Sequence, residues 1–339
     1  MTDTNHANGD NPPSSSTSPA IDETRAAQFA GAFAAIGANV EHVVQGKRPV
    51  IDQSLLCLLA GGHLLIEDVP GVGKTTLAKA LAASVGADLG RVQFTPDLLP
   101  ADVTGVSIWN RNDSTFEFRP GPIFAGVVLA DEINRASPKT QAALLESMAE
   151  GQVTVDGTTH QLPQPFMVMA TQNPIEQEGT YPLPESQLDR FLMRLSVGYP
   201  DRSDELNILD THAADGAVDR LAAVVNISDV LTMTQIASLV GIAPELKGYL
   251  IDIAEATRRH PSVALGMSPR ATLSLQRVAK ARAASLGRTF VIDDDIKASA
   301  SSVISHRLLL TPDATIKGQS AEQIVADVLR AIPVPADRV

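Results

Sequence analysis

A short glycine-rich segment constrains this chain more than any other feature of its sequence. The segment consists of Pro70, Gly71, Val72, Gly73, Lys74, Thr75 and Thr76, and it lies between an apolar run and a helical pattern. Glycines allow backbone N–H groups to turn inward onto phosphate oxygens, and the amino terminus of a helix adds further free donors. The order strand, glycine-rich turn, Lys-Thr and helix is that of a phosphate-binding loop. We therefore expect a nucleotide site on an α/β fold.

Two residues of this segment have the clearest predicted roles. Lys74 would reach the β- and γ-phosphates of the nucleotide, and the Thr75 hydroxyl would ligate Mg²⁺. The usual pattern opens with a glycine, and Asp68 occupies that position here. A carboxylate beside phosphates is unfavourable unless it points away from them. The alternative interpretation is an ordinary strand, turn and helix with a surface lysine.

Length and composition describe a globular protein of two domains. The chain has 339 residues, of which 44% are hydrophobic and 19% charged. The longest apolar stretch, 55–65, is interrupted by two glycines and is too short to span a bilayer. No signal peptide is visible, and the single cysteine, Cys57, fits the core and a reducing compartment. We expect a cytoplasmic protein without membrane insertion. The net charge of −12 argues mildly against nucleic acid as a partner.

The pattern along the chain changes twice. Residues 1–22 are polar and rich in Ser, Pro and Asn, which predicts a disordered tail. Residues 23–200 alternate short apolar runs with helical patterns, which predicts an α/β domain with a mostly parallel sheet. Residues 201–339 are predicted to form a smaller all-helical domain, after a linker at 199–204. The strands are expected at 63–66, 91–94, 126–130 and 166–170, a hairpin around Asp156-Gly157, and the late helices at 230–239, 245–257, 269–286 and 293–309.

Two acids follow the apolar run 126–130. Asp131 is expected at the carboxyl end of a strand, where it can hold the Mg²⁺ shell, and Glu132 can polarise the water that attacks the γ-phosphate. Asn173 follows the next apolar run. If the two strands are neighbours, Asn173 would face the γ-phosphate; otherwise the Asn-Pro pair at 173–174 is a turn signal.

Two arginines could complete such a site. Arg190 lies in the segment 188–191, and Arg270 follows Ser268 and Pro269, which are a good N-cap and a good first helical residue. An arginine from a neighbouring subunit or from the second domain could neutralise charge on the transferred phosphoryl group. Spacing alone leaves ordinary surface arginines as an equal alternative.

Together these motifs resemble those of the MoxR family of AAA+ ATPases. The similarity runs from about Val43 to the Arg270 region and is carried by a series of segments. These are 61–67, 94–102, 119–124, 130–136, 170–174 and 183–191, in addition to the glycine-rich loop.

The resemblance implies a fold, a reaction and residue roles. The fold would be the three-layer α/β sandwich of the AAA+ P-loop NTPases, followed by an all-α lid domain. Asn173 would be sensor 1, Arg190 the arginine finger and Arg270 sensor 2, while Val44 and Gly46 match the segment beside the adenine base. The segment 94–109 overlaps the helix-2 insertion, and the Asp156-Gly157 hairpin is similar to the one before sensor 1.

The resemblance also implies cofactors and partners. These are ATP with Mg²⁺, a hexameric ring with ATP sites between subunits, a von Willebrand factor A domain protein, and a client that the sequence does not name. The leading hypothesis is ATP-driven, chaperone-like remodelling or maturation of a partner, including metal insertion. A nucleic-acid translocase and an ATP-binding regulatory subunit are the alternatives.

Overall fold

The computed structural model of the protein describes residues 21–174, 179–200, 202–211 and 218–334. The tail predicted for residues 1–22 lies outside this part of the chain except for its last two residues. Asp22 caps the first helix, because its side chain accepts a hydrogen bond of 2.8 Å from the Arg25 N–H.

The chain alternates helices and strands over the first 200 residues and is mainly helical after that. The strands are β1 (Leu64–Glu67), β2 (Leu89–Gln93), β3 (Gly105–Asn110), β4 (Thr115–Pro120), β5 (Val127–Asp131), β6 (Gln152–Val155), β7 (Thr158–Gln161), β8 (Met167–Gln172), β9 (Met193–Leu195), β10 (Val263–Leu265) and β11 (Leu309–Leu310). The helices are α1 (Glu23–Glu41), α2 (Arg48–Leu59), α3 (Lys74–Ser84), α4 (Pro100–Thr104), α5 (Pro138–Glu150), α6 (Glu185–Leu188), α7 (Arg202–Thr211), α8 (Ile227–Leu239), α9 (Pro244–Arg259), α10 (Pro269–Ser285), α11 (Asp293–Ile304), α12 (Pro312–Ile316) and α13 (Ala321–Ala331).

Among the described residues, β2, β5, β8, β1 and β9 form a parallel sheet in that order. Its central strands are apolar on both faces. Leu64 and Ile66 of β1 join the hydrophobic cluster that contains α1, α2 and α3, whereas Leu65 joins the cluster that contains α5. Side chains of a strand alternate between faces, so helices cover both sides of the sheet. The predicted three-layer α/β arrangement is confirmed.

The parallel register brings the carboxyl ends of four strands together. Glu67, the last residue of β1, pairs with Gln172 at the end of β8, and Gln93 of β2 pairs with Asp131 at the end of β5. Because β8 lies between β1 and β5, the segments that follow these strands meet at one edge. Open parallel sheets bind their ligands at this edge.

Two hairpins extend from the sheet domain. Strands β6 and β7 are joined by Asp156 and Gly157, whose φ angles of 49° and 78° are both positive, as a two-residue hairpin of this kind requires. Strands β3 and β4 form the second hairpin. It begins within the segment 94–109, which was predicted to overlap an insertion, and continues beyond it. The two hairpins touch where the Phe118 ring stacks on His160, with ring centroids 3.9 Å apart.

The second domain differs from the prediction in three details. It contains a two-stranded antiparallel sheet, β10–β11, which the sequence did not indicate because the pairing joins two very short segments far apart in the chain. The helix expected over 293–309 ends at Ile304 and is followed by a 3₁₀ turn at Ser305–Arg307. Helix α7 begins at Arg202, inside the predicted linker.

The two domains share a continuous core. Buried residues of α8, α9, α10, α11 and α13 belong to the same hydrophobic cluster as α1 and α2. Cys57 lies in this cluster and is fully buried, as predicted. Within the described residues, no helix is both long enough and apolar enough to cross a membrane.

Candidate active site

The glycine-rich segment forms the turn between β1 and α3. Gly71 and Gly73 have φ angles of 84° and 93°, and a Cβ at either position would meet nothing within 4 Å. The backbone conformation, and not crowding, therefore requires glycine there. Pro70, Gly71 and Val72 lie in the turn, Gly73 is the N-cap, and Lys74, Thr75 and Thr76 form the first turn of α3.

The Asp68 carboxylate is turned toward the exit of β9. One of its oxygens accepts hydrogen bonds from the Gly198 N–H at 2.6 Å and from the Ser196 hydroxyl at 2.9 Å, and the other accepts from the Val69 N–H at 2.9 Å. Burial raises the pKa of Asp68, but these hydrogen bonds outweigh that effect and lower it. The acid in place of the first glycine thus ties the loop to β9.

The Lys74 ammonium donates a hydrogen bond of 2.8 Å to the Asp68 carbonyl oxygen. Burial lowers the pKa of Lys74, and the charges of Asp131, Asp68 and Glu132 partly oppose this shift. Lys74 therefore lies in the field of the two acids that the sequence assigned to the same site.

Asp131 ends β5, and two side chains hold its carboxylate. The Thr171 hydroxyl donates to one oxygen at 2.7 Å, and the Arg91 guanidinium lies 3.1 Å from the other. The Thr171 oxygen also accepts a hydrogen bond of 2.9 Å from the Glu132 N–H. The Thr171 hydroxyl of β8 thus binds both the side chain of Asp131, which ends β5, and the backbone of Glu132, which follows it.

Glu132 has a left-handed backbone, with φ 57° and ψ 50°. Such a conformation is uncommon for a residue other than glycine and marks a locally strained position. Its carboxylate accepts a hydrogen bond of 3.0 Å from the Gln93 amide, and the same oxygen lies 3.0 Å from the Arg135 guanidinium. Glu132 is therefore held by β2 and by the 3₁₀ turn at Ile133–Arg135.

Asn173 follows β8 directly and is 6% exposed. Since β8 lies between β1 and β5, Asn173 comes off the sheet between the glycine-rich loop and Asp131. This satisfies the condition of neighbouring strands on which its predicted role depended.

The segment predicted to lie beside the base packs against the chain after β9. Val44 is buried, and a Cβ at Gly46 would lie 1.7 Å from the Asp204 carboxylate, so only glycine fits. Lys47 donates a hydrogen bond of 2.6 Å to the Tyr199 carbonyl oxygen. The segment 44–47 therefore adjoins the same stretch of chain that binds Asp68.

The two arginines of the prediction lie at a junction between the domains. The Arg190 guanidinium donates to the Leu145 carbonyl oxygen of α5 at 2.5 Å. The neighbouring residue, Asp189, interacts with three side chains of the second domain: Ser268, Arg270 and Arg307. We call these four residues the Asp189 cluster. Within it, Arg270 Nε lies 4.0 Å and Arg307 Nε 2.9 Å from an Asp189 oxygen, and the Ser268 hydroxyl lies 3.4 Å from both oxygens.

Sequence reasoning missed several residues that hold this site. Thr171 and Arg135 lie within motif segments but have no role predicted from the sequence, and Gln93 lies outside the motifs. Position at a strand end could have identified Gln93, because it pairs with Asp131 in the sheet. No local signal connects Arg307 with Asp189.

The residues present fit a nucleotide with Mg²⁺. The turn at 70–73 has open space above its glycines, the Asp68 carboxylate is withdrawn, and Lys74 offers a cation. The Thr75 hydroxyl and the Asp131 carboxylate are the hard oxygen donors that Mg²⁺ prefers.

Comparison with known proteins gives the same result. Residues 63–193 match the family described as "ATPase family associated with various cellular activities (AAA)", and residues 255–328 match the "AAA lid domain". The chain is 52% identical over 306 residues to the uncharacterized protein YeaC of Bacillus subtilis, an alignment that covers 89% of this chain and 96% of YeaC. It is 39% identical to the chaperone MoxR1 of Mycobacterium tuberculosis, over 88% of this chain and 81% of MoxR1. The chain belongs to the MoxR family of AAA+ ATPases.

A solved structure supports the MoxR-family fold. The crystal structure of a protein from Cytophaga hutchinsonii, described as an ATPase, superimposes with a TM-score of 0.87 and is 39% identical, covering 92% of this chain and 97% of that one. The predictions of an ATPase and of a sheet domain followed by a helical lid are thereby confirmed.

Proposed function

We propose that this MoxR-family ATPase hydrolyses Mg-ATP at sites shared between the subunits of a ring. The family resemblance implies that the ring is a hexamer. We further propose that hydrolysis drives the remodelling or maturation of a partner protein. The observation that carries the proposal is the meeting of Lys74, Asp131 and Glu132 at one sheet edge, together with the pairing of Arg270 with Asp189, the residue before Arg190.

Each residue has a definite part in the proposed reaction. Glu132 polarises a water molecule, whose oxygen attacks the γ-phosphorus while the bond to the β-phosphate oxygen breaks and ADP leaves. Lys74 binds the β- and γ-phosphates, and Asn173 orients the water. Thr75 and Asp131 would hold Mg²⁺, which supplies neutralising charge to the phosphates when bound.

The remaining contacts of ATP are assigned by segment. The segment from Pro70 to Thr76 would surround the phosphates. Its backbone N–H groups, which Pro70 lacks, would donate to the phosphate oxygens; they belong to Gly71, Val72, Gly73, Lys74, Thr75 and Thr76. Val44 and Gly46 would lie beside the adenine base.

The arginines suggest a shared site. The Arg190 guanidinium donates to a carbonyl oxygen of α5 in the same chain, and Arg270 pairs with Asp189, the residue before Arg190. The two cations are thus presented on one surface, which suits contact with a nucleotide on a neighbouring subunit, where charge develops on the phosphoryl group.

The first test uses single variants. Glu132→Gln should retain ATP and lose turnover, and Lys74→Ala should lose nucleotide affinity. Steady-state phosphate release and nucleotide binding would be measured on the same preparations. Unchanged phosphate release in Glu132→Gln would reject Glu132 as the base.

The second test asks whether the site is shared. Arg190→Ala and Glu132→Gln subunits should each be inactive alone. In a mixed ring, a site with Glu132 from one variant and Arg190 from the other is complete, so mixing should restore phosphate release. Failure to restore it, or a monomer in sedimentation with ATP and Mg²⁺, would reject the shared site.

The partner is proposed by chemistry and family. The name of one relative, chaperone MoxR1, favours a protein client, and the family resemblance suggests a von Willebrand factor A domain partner in the cytoplasm. Purified proteins that bind Glu132→Gln with ATP, and that Lys74→Ala does not bind, would be the candidates. Stimulation of phosphate release by DNA or RNA at low salt would favour a translocase instead.

A further inference from the structure

Arg307 is a buried cation that the proposed reaction does not use. It lies in the 3₁₀ turn after α11, and its side chain is 3% exposed. Its guanidinium donates hydrogen bonds of 2.7 Å to the Phe191 carbonyl oxygen and 3.4 Å to the Asp189 carbonyl oxygen. A residue of the lid therefore binds the backbone on both sides of Arg190.

The same guanidinium also holds a side chain of the sheet domain. Arg307 Nε lies 2.9 Å from an oxygen of the Asp189 carboxylate, whose other oxygen is 4.0 Å from Arg270 Nε. Burial lowers the pKa of Arg307 to about 10, an effect that Asp189 opposes, so the side chain is a cation at neutral pH. Burying a cation costs free energy unless it is paired and hydrogen-bonded, and here both conditions are met.

His306 also donates a hydrogen bond to the Phe191 carbonyl oxygen, which Arg307 binds. Its Nε2 lies 3.1 Å from the Phe191 carbonyl oxygen, to which it donates. The Phe191 oxygen thus accepts from two adjacent residues of the lid. A carbonyl with two donors from one rigid turn has little freedom to rotate.

A second lid arginine provides a contrast. Arg277 of α10 donates to the carbonyl oxygens of Ala60 and Gly61, at the carboxyl end of α2, the latter at 2.6 Å. Both arginines thus tie the lid to backbone carbonyls of the sheet domain. Of these two arginines, Arg307 is the one that binds the segment that carries Arg190.

We propose that Arg307 is a positioning residue, which holds the backbone at 189–191 so that Arg190 and Arg270 are presented together. The inference rests on the proposed role of Arg190 in ATP hydrolysis. Because misplacement of a reacting group by about 1 Å can cost roughly 100-fold in rate, a residue that fixes this backbone acts on turnover without touching the nucleotide.

The test places Arg307→Met in one or the other subunit of the mixed ring. In that ring, the Glu132→Gln subunit supplies Arg190, and the Arg190→Ala subunit supplies Glu132. Arg307→Met in the Glu132→Gln subunit should lower the restored phosphate release roughly 10- to 100-fold. The same change in the Arg190→Ala subunit should leave it unchanged, because no Arg190 is present there to position.

Arg277→Met is the matched control. It also removes a lid arginine that binds two carbonyl oxygens, so any effect of looser lid docking should be the same in both subunits. Circular dichroism and sedimentation would show that each variant folds and assembles. If Arg307→Met does not fold, Arg307→Lys replaces it; lysine keeps the charge but lacks the planar fork, so a smaller loss with the same asymmetry is expected.

The outcomes separate this inference from the proposed function. Equal loss in both subunits, or no loss in either, would overturn the positioning role of Arg307. In the otherwise unchanged chain, Arg307→Met should lower kcat and leave KM for ATP unaltered; a change in KM alone would also contradict it. Failure of the starting mixed ring to regain activity would instead overturn the shared site itself.

Discussion

The carboxyl edge of the sheet and the Asp189 cluster hold their charged groups by different means. At the sheet edge, Asp131 ends β5 and Glu132 follows it directly, and the hydroxyl of Thr171, near the end of the adjacent β8, bonds to both residues. In the Asp189 cluster, Arg307 binds the carbonyl oxygen of a residue 118 positions away. The first region is organised by strand register, and the second by the docking of one domain on the other.

The difference has a consequence for how each region fails. The sheet edge keeps its geometry as long as the parallel strands pair. Substitution of a single side chain that binds Asp131 or Glu132 is therefore the change expected to disturb it. The cluster depends on a buried cation, so loss of one partner leaves a charge without compensation. The predictions below test this contrast in order of decreasing expected effect.

Acid is expected to weaken the sheet domain most, through His63. The His63 ring is buried, with Nδ1 accepting from the Val168 N–H at 3.0 Å and Nε2 donating to the Met148 carbonyl oxygen at 3.0 Å. Burial lowers its pKa from 6.5 to about 4, a shift that the Met148 bond partly opposes. The unfolded chain therefore binds the proton first as pH falls. The free energy of unfolding should decrease between pH 6.5 and 4, and His63 should contribute roughly 3 kcal/mol of this decrease.

Urea denaturation at a series of pH values would measure this decrease. His63→Gln should make the dependence over that interval shallower and leave the part that the buried His306 contributes, because burial also lowers the pKa of His306. His42→Gln, at an exposed position, should not have this effect. Parallel curves for wild type and His63→Gln would show that His63 does not titrate as proposed.

Thr171→Val is expected to break the sheet edge. Valine has the shape of threonine but cannot donate to Asp131 or accept from the Glu132 N–H. The Asp131 carboxylate would lose one of the two side chains that hold it, and the Glu132 N–H would lose its acceptor, so kcat should fall about 100-fold with ATP affinity retained. Thr171→Ser should restore much of the rate, and Thr154→Val, on the exposed hairpin, should have no effect. A wild-type kcat in Thr171→Val would mean that strand register alone positions the acids.

Asp68→Asn tests whether the acid in the glycine-rich loop is structural. The amide keeps the size, but one carboxylate oxygen becomes an NH2 group that cannot accept. The bond from the Val69 N–H and the two bonds from Gly198 and Ser196 to the other oxygen therefore cannot all be retained. We expect a loss of about 2 kcal/mol in the free energy of unfolding, because bonds to a charged group are involved. This loss should shrink below pH 4, as the carboxyl of the wild type takes up a proton. A loss that is independent of pH would contradict the charged role of Asp68.

Ser268→Ala has the smallest expected effect on the cluster. Ser268 caps α10 by accepting from the Ala271 N–H at 3.1 Å, and it also contacts Asp189. Removal of the cap should cost about 1 kcal/mol in the free energy of unfolding. Ser320→Ala removes the cap of α13, whose hydroxyl accepts from the Gln323 N–H at 3.2 Å, and should cost about as much. Only Ser268→Ala should also lower phosphate release; equal rates in the two variants would place Ser268 outside the function of the cluster.

Local patterns predicted the sheet domain well, and the physical reason is visible in particular elements. The run before Pro70 and the run before Asp131 are apolar throughout, as strands buried on both faces are, and the glycines between β1 and α3 have the positive φ angles that their positions imply. The hairpin at Asp156-Gly157 was also predicted from a local pattern, because Asp-Gly between alternating apolar residues favours a two-residue turn. Short pairings such as β10–β11 were missed, because two or three residues carry no periodic signal.

The sequence by itself determined the chemistry at the sheet edge: a loop that can surround phosphates, two acids after one strand, and a polar residue after the next. Those features are local, since a strand end places its successor at the edge whatever the rest of the chain does. The tertiary structure alone decided where the Asp68 carboxylate points and which hydroxyl holds the two acids at 131–132. It also decided that Arg307 binds the backbone on both sides of Arg190. These depend on distances between residues far apart in the chain, which only the packing of the sheet and the lid brings within bonding range.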